Sequence, residues 1–218
     1  MSAQIFVPKL YGYWRSSASW RLRWAFELKQ SSYQYIPVNI LSGENKSPAH
    51  LARNSMGLLP LLEYAPGKFF AESLAIIQWL DETRESGKKL LPADPVLRSH
   101  CRALAELINA ETAPLQTPRA QKKHSSDLDE QKEFAAFFIR EGFKGFSAMC
   151  APFRKKFCVG DEISLADLCL IPQMYNAGRF SISCETEFPD LWEIYKECLK
   201  TPECLISSPD RQIDALKS

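Results

Sequence analysis

The chain has 218 residues, with 27 lysines and arginines against 26 aspartates and glutamates, for a formal charge of +1. That balance leaves no electrostatic footprint for a nucleic-acid partner. The short basic runs Gln121-Lys122-Lys123-His124 and Arg154-Lys155-Lys156 are flanked by acids and read as solvated helix faces.

Seven cysteines, an odd number without a CxxC pair, give no disulfide framework and fit a reducing compartment. Most fall in apolar helical patterns and read as small buried hydrophobes. His50, His100 and His124 are scattered without metal-ligand spacing, so no metal is expected. No charged and apolar signal segment follows Met1, and no apolar run approaches the length of a membrane span. The expected location is the cytoplasm, with no membrane partner.

In chain order, Lys9–Tyr13 reads as a strand and Ser17–Gln30 as an amphipathic helix with Trp20, Trp24 and Leu28 on one face. The turn between them is rich in hydroxyls. The first amides of a helix lack intrahelical partners, and the helix dipole adds positive potential there. Ser16 and Ser17 stand at that place, which suits an anion such as a bound thiolate. It equally suits a plain helix cap, and this stretch alone leaves both readings open.

Tyr33–Ile40 is β-rich, with Pro37 marking an edge strand. Ser47-Pro48 opens a short helix. Leu58–Tyr64 reads as a strand, Pro66-Gly67 as a turn and Lys68–Phe70 as a return strand. Ser73 is expected to cap a helix through Ile76, Ile77 and Leu80. The order βαβ then ββα predicts a small mixed sheet with helices packed on it. Leu59-Pro60 opens the third strand. A cis bond there would leave the Leu59 backbone unpaired and able to bind an extended peptide, whereas a trans proline would simply start a strand. Glu72-Ser73 forms a second helix start suited to a carboxylate.

Lys88–Pro95 has a linker's composition. Beyond it Val96–Ala113, Asp129–Cys150, Ser164–Ala177 and Phe188–Leu199 all keep helical spacing, which predicts a helical bundle. Ser164-Leu165-Ala166-Asp167 is a capping box, with Ile163 and Leu168 as its hydrophobic staple and a structural role. The expected organisation is an α/β domain over 1–86, a linker over 87–95 and an all-α domain over 96–218.

Two helix starts and an exposed backbone edge in one small domain suit an anionic peptide with a thiol at its middle residue. At this point a family resemblance enters. Ser16-Ser17-Ala18-Ser19-Trp20-Arg21-Leu22-Arg23-Trp24-Ala25-Phe26 resembles the SSCxxRVRIAL signature of zeta-class glutathione transferases, which include maleylacetoacetate isomerase. Asn54–Pro60 resembles the NPxGxVP segment with its cis-proline, Glu72–Ile77 the (E/Q)SLAI helix start, and Leu90–Pro95 the domain linker. Ile108–Gln116 is similar to INxxIxPLQN, and Phe157–Phe180 follows the family pattern throughout.

The resemblance implies a thioredoxin-like glutathione-binding domain followed by an all-helical domain, usually as a homodimer, with glutathione as cofactor. It implies that Ser16 and Ser17 stabilise the glutathione thiolate. The Leu59 backbone and Pro60 would bind the cysteinyl residue, and Glu72 and Ser73 the γ-glutamyl end. Asn109 and Gln116 would complete that site from the helical domain, with Asn45 a candidate for the glycyl end. Arg179 would meet a substrate carboxylate, and Arg15 is a second candidate cation for the charge that develops during reaction. Tyr11 and Tyr13 are rivals to the serines.

The implied reaction is glutathione-dependent cis–trans isomerisation of maleylacetoacetate to fumarylacetoacetate in tyrosine and phenylalanine catabolism. Alternatives are maleylpyruvate isomerisation, a general transferase or peroxidase using Trp14, Trp20 and Tyr175 as an apolar lining, and a non-catalytic glutathione-binding scaffold. The chain departs from the pattern at Ala18, where the family has cysteine, and at Ser55, where it has proline.

Overall fold

The computed structural model describes residues 6–215. Two compact units divide the chain. One holds everything up to Lys89 together with the segment from Pro202 on, and the other runs from Leu90 to Thr201. Periodicity alone assigns the last segment to the helical part. Its partners lie in the first unit, where the Trp20 indole donates to Ser207 Oγ at 3.1 Å and Arg23 Nε to the Ser207 carbonyl at 2.9 Å.

The first unit runs β1 (Lys9–Gly12), α1 (Ser17–Leu28), β2 (Gln34–Pro37), α2 (Pro48–Leu51), β3 (Leu61–Ala65), β4 (Lys68–Ala71) and α3 (Ser73–Thr83). The sheet order is β2-β1-β3-β4. β1 pairs parallel with β2, which requires the α1 crossover, while β3 and β4 join antiparallel. Pro37 lies in the edge strand β2, where its missing N–H removes no ladder bond.

The expected one-sided burial of α1 does not hold. Trp20, Leu22, Trp24, Phe26 and Leu28 are buried, and so are Arg21 and Arg23. The helix is covered by α3 and by α10 (Pro202–Ser207), so it has no polar face left for solvent. Between β1 and β3, the Glu63 carboxylate accepts from the Gly67 amide at 3.0 Å, Lys9 Nζ at 3.1 Å and the Tyr11 hydroxyl at 3.3 Å. The Gly67 amide, helped by Lys9 and Tyr11, holds its carboxyl below the usual carboxylate range.

In the second unit the helix expected over Val96–Ala113 is interrupted. α4 (Pro95–Glu106) passes into a π turn over Leu107–Thr112, where Thr112 Oγ1 donates to the Leu107 carbonyl at 3.2 Å. Gly142 of α6 (Leu128–Cys150) faces this turn, and a Cβ there would meet Thr112 Oγ1 at 2.1 Å. A wide turn and a bare glycine thus allow the close approach. α5 (Pro118–His124), capped by Thr117, carries no apolar stripe that periodicity could detect.

α7 (Leu165–Ala177) is buried almost throughout, and α8 (Cys184–Glu187) and α9 (Pro189–Leu199) follow it. The capping box forms as read. Asp167 accepts from the Ser164 amide and hydroxyl, both at 2.8 Å, and from the Cys158 amide at 2.9 Å. Burial nevertheless raises its pKa, against the pull of those donors. The seven cysteines are buried thiols without a disulfide. Among the described residues no helix is long and apolar enough to cross a membrane.

Two stability predictions follow from these carboxylates. Folding depresses the Glu63 pKa, so its contribution is present at neutral pH and lost as pH falls through the folded value. Urea unfolding of Glu63→Gln at a series of pH values should show lower stability near neutrality and a shallower acid branch; an unchanged acid branch would refute this. Asp167→Ala strands the Ser164 and Cys158 amides and should cost about 3 kcal/mol by denaturant unfolding.

Candidate active site

The sheet register determines where the candidate residues emerge. Gly12 pairs with Pro37, Tyr11 with Leu61, and Leu61 with Ala71. The C-terminal ends of β1, β2 and β4 and the N-terminal end of β3 therefore share one end of the sheet. The Tyr13–Ser16 turn, the loop carrying Asn45, the Leu59-Pro60 peptide and the Glu72-Ser73 helix start all leave from that end.

The two serines of the turn take different places. Ser16 is the N-cap of α1, with extended backbone and its hydroxyl accepting from the Ser19 amide at 3.2 Å. Its own amide donates to the Tyr13 carbonyl at 3.0 Å. Ser17 is the first helical residue and is half-buried, with its amide in the positive end of the helix field. Of the rivals, Tyr11 gives its hydroxyl to Glu63. Arg15 is half-buried and lies over the Trp14 ring at 5.5 Å.

The Leu59–Pro60 bond is cis, and β3 begins two residues after Leu59, so the Leu59 backbone lies outside the ladder. At the second helix start, Glu72 rather than the expected Ser73 is the N-cap. Its backbone lies at φ 69° and ψ 111°, and it makes no side-chain cap bond. A non-glycine residue at positive φ costs on the order of 1–3 kcal/mol and persists where its surroundings hold it. The consequence is that Ser73 becomes the first residue of α3, buried, with its hydroxyl accepting from Arg21 Nη1 at 3.3 Å.

Arg21 is thus a member of the site that motif reading passed over. The available signal was a pair of arginines set two apart in an otherwise apolar helix. Asn45 uses its amide on the Gly57 carbonyl at 2.8 Å, closing the loop after β2 against the segment that leads to Leu58. Gly57 has φ +59°, and a Cβ there would meet the Asn45 carbonyl at 2.7 Å, so glycine is required.

The remaining candidates belong to the second unit. Asn109 lies in the π turn, a local geometry that often marks functional positions. Gln116 exchanges two side-chain hydrogen bonds with Gln173, at 2.5 and 2.8 Å, and accepts from Asn176 Nδ2 at 2.7 Å. Asn176 Oδ1 in turn accepts from Arg179 Nη1 at 3.1 Å. One polar chain therefore joins Gln116 to the exposed Arg179. Gln173 and Asn176 were not anticipated; their signal was polar side chains inside the buried helix α7.

Known proteins resemble this chain in both sequence and fold. The glutathione S-transferase N-terminal domain matches residues 7–82, and the glutathione S-transferase C-terminal domain matches residues 117–202. Maleylacetoacetate isomerase of Dictyostelium discoideum is 36% identical over 211 residues, which cover 94% of this chain and 95% of that protein. The crystal structure of maleylacetoacetate isomerase from Anaeromyxobacter dehalogenans 2CP-1, with glutathione bound in its active site, superposes with a TM-score of 0.87. It is 36% identical and is covered to 98%, against 96% of this chain. A holo maleylpyruvate isomerase, a bacterial zeta-class glutathione S-transferase, gives a TM-score of 0.90 at 32% identity over 95% of this chain and 100% of its own. Both parts of the chain and nearly all its length lie within one lineage, and the protein belongs to the glutathione S-transferase family, in the zeta-class group of the maleylacetoacetate isomerases.

Proposed function

We propose that this protein is a glutathione-dependent cis–trans isomerase that converts maleylacetoacetate to fumarylacetoacetate. The proposed setting is tyrosine and phenylalanine breakdown in the cytoplasm, with the protein acting as a homodimer. The observation that carries this reading is the convergence of Ser17, Leu59 and Glu72-Ser73 at one end of the sheet, in a chain whose relatives are isomerases of this kind.

The residues present fit glutathione. The N1 amide and hydroxyl of Ser17 suit a thiolate. The unladdered Leu59 backbone suits the cysteinyl peptide, and Ser73, with its hydroxyl held by Arg21, suits the γ-glutamyl carboxylate. Asn45, Pro60, Asn109 and Gln116 are proposed to complete the binding. When bound, glutathione supplies the nucleophile that adds reversibly to the cis double bond, permits rotation and leaves unchanged.

The protein's task at that step is electrostatic. A free thiol with pKa about 8.5 is only a few per cent ionised at neutral pH. Lowering that pKa by two units requires about 2.7 kcal/mol, within reach of one charge-assisted hydroxyl hydrogen bond and a helix terminus. Ser17 is assigned this role because it is the first helical residue of α1, with its amide in the positive end of the helix field. Arg15 and Arg179 are assigned to the substrate carboxylates and to the charge that moves onto the conjugated carbonyl. Ala18 replaces the group's cysteine and so excludes a mixed disulfide at that position, while both hydroxyls remain.

Maleylpyruvate is the second reading, supported by the likeness to a maleylpyruvate isomerase. Both substrates carry the maleyl carboxylate that the arginines would hold. For a broad transferase lined by Trp14, Trp20 and Tyr175, the support is weaker: the two tryptophans are only 7% and 1% exposed and serve as core, which leaves the half-buried Tyr175.

Incubation with glutathione and maleylacetoacetate should yield the trans product. Retained glutathione binding without turnover would overturn the proposal. Ser17→Ala should lower turnover roughly 100-fold by removing the thiolate's donor. Ser16→Ala should chiefly cost about 1 kcal/mol of stability through loss of the cap. Steady-state kinetics and thermal unfolding of the two variants separate these outcomes.

A further inference from the structure

The turn that carries the serines is tied to α1, the helix it introduces. The Tyr13 amide donates to Ser19 Oγ at 3.3 Å, the Trp20 amide to the Ser16 carbonyl at 2.9 Å, and Arg23 Nη2 to the Trp14 carbonyl at 3.0 Å. A further tie comes from a segment distant in the chain. The Trp14 amide donates to Asp214 Oδ2 at 2.9 Å, across 200 residues of sequence. The same carboxylate oxygen accepts from the Tyr35 hydroxyl at 3.3 Å, and the Arg23 guanidinium lies over the Tyr35 ring at 5.6 Å. Asp214 and Arg23 therefore hold the two peptide units on either side of the Trp14 Cα, with Trp14 N–H on Asp214 and Trp14 C=O on Arg23.

Apolar burial at Ile213 does not explain why the segment around Asp214 lies here. Ile213, beside Asp214, is 79% exposed. The segment is instead closed by the Ala215 amide on the Gln212 carbonyl at 3.1 Å, a turn that carries Asp214. Arg23 is fully buried, and burial lowers its pKa against the opposing pull of Tyr35, Tyr33 and Asp214. Burial likewise pushes the Tyr35 hydroxyl up, so it stays a donor.

We infer that Asp214 is a positioning residue for the reaction. Its carboxylate sets the orientation of the Trp14 peptide and thereby the place of the Ser17 hydroxyl and amide at the start of α1. The inference rests on the proposed role of Ser17. Asp214 acts as a hydrogen-bond acceptor, and its negative charge is not the operative feature, because a carboxylate near a thiolate would disfavour the thiolate.

The test measures the thiolate fraction of bound glutathione by its ultraviolet absorbance, alongside glutathione affinity and Trp14 amide hydrogen exchange in the free protein. Asp214→Ala should lower the thiolate fraction at neutral pH roughly tenfold, the scale expected for a small misplacement of a catalytic donor. Glutathione affinity should change less, and exchange at the Trp14 amide should accelerate. Asp214→Asn keeps an acceptor oxygen and should restore all three readings toward the starting protein.

Equal damage from alanine and asparagine, or no change in thiolate with alanine, would overturn the inference. So would an unprotected Trp14 amide in the unmodified protein, a result that does not depend on any variant folding. Ser17→Ala separates this failure from that of the functional reading. If Ser17→Ala also leaves the thiolate intact, the assignment of Ser17 is wrong; if it removes the thiolate while Asp214→Ala does not, only the positioning role is lost.

Discussion

Two guanidinium groups buried in one short helix hold the first unit together around its candidate site. Arg21 and Arg23 are 1% and 0% exposed. A buried cation is costly, and bonds to the groups around it offset part of that cost, although Arg23 Nη1 has no hydrogen-bond partner. Arg21 reaches the Ser73 hydroxyl at the start of α3, and Arg23 reaches the Trp14 and Ser207 carbonyls. These bonds draw together the turn before α1, the start of α3 and the chain's last described segment. The hydroxyls proposed to meet glutathione are thus placed by the same bonds that make the burial of charge possible.

The second unit follows the same logic with neutral groups. α7 is apolar over most of its length, yet it carries Gln173 and Asn176 into buried surroundings. Gln116 meets both, and Asn176 passes the connection on to Arg179. A fully paired polar network specifies one arrangement of its members, because each alternative would leave a buried polar atom without a partner. The π turn beside Gly142 adds a second fixed point, since any side chain at that glycine would collide with Thr112.

Much of this was legible in the sequence. The succession of strands and helices along the chain, the helices over residues 17–28, 128–150, 165–177 and 189–199, and the capping box at Ser164 all rest on local periodicity and local hydrogen-bond chemistry. The positions of Leu59-Pro60 and Glu72-Ser73 were readable as motifs for the same reason. What each would do there was not. Ser16 and Ser17 look alike in sequence, and only the backbone path makes one the cap and the other the first helical residue. Glu72 takes a left-handed backbone that its residue type disfavours, so no propensity argument reaches it.

By itself, then, the sequence determined the element order, the sites of the helix starts and the family to which the chain belongs, because these depend on residues close in the chain or on quoted motifs. Tertiary structure alone decided which groups are partners. The meeting of Arg21 with Ser73, of Gln116 with Asn176 and of Trp14 with Asp214 spans 52, 60 and 200 residues. Periodicity carries no information over such distances, and these contacts exist because buried polar groups must find whichever complementary atoms the packed fold brings within reach.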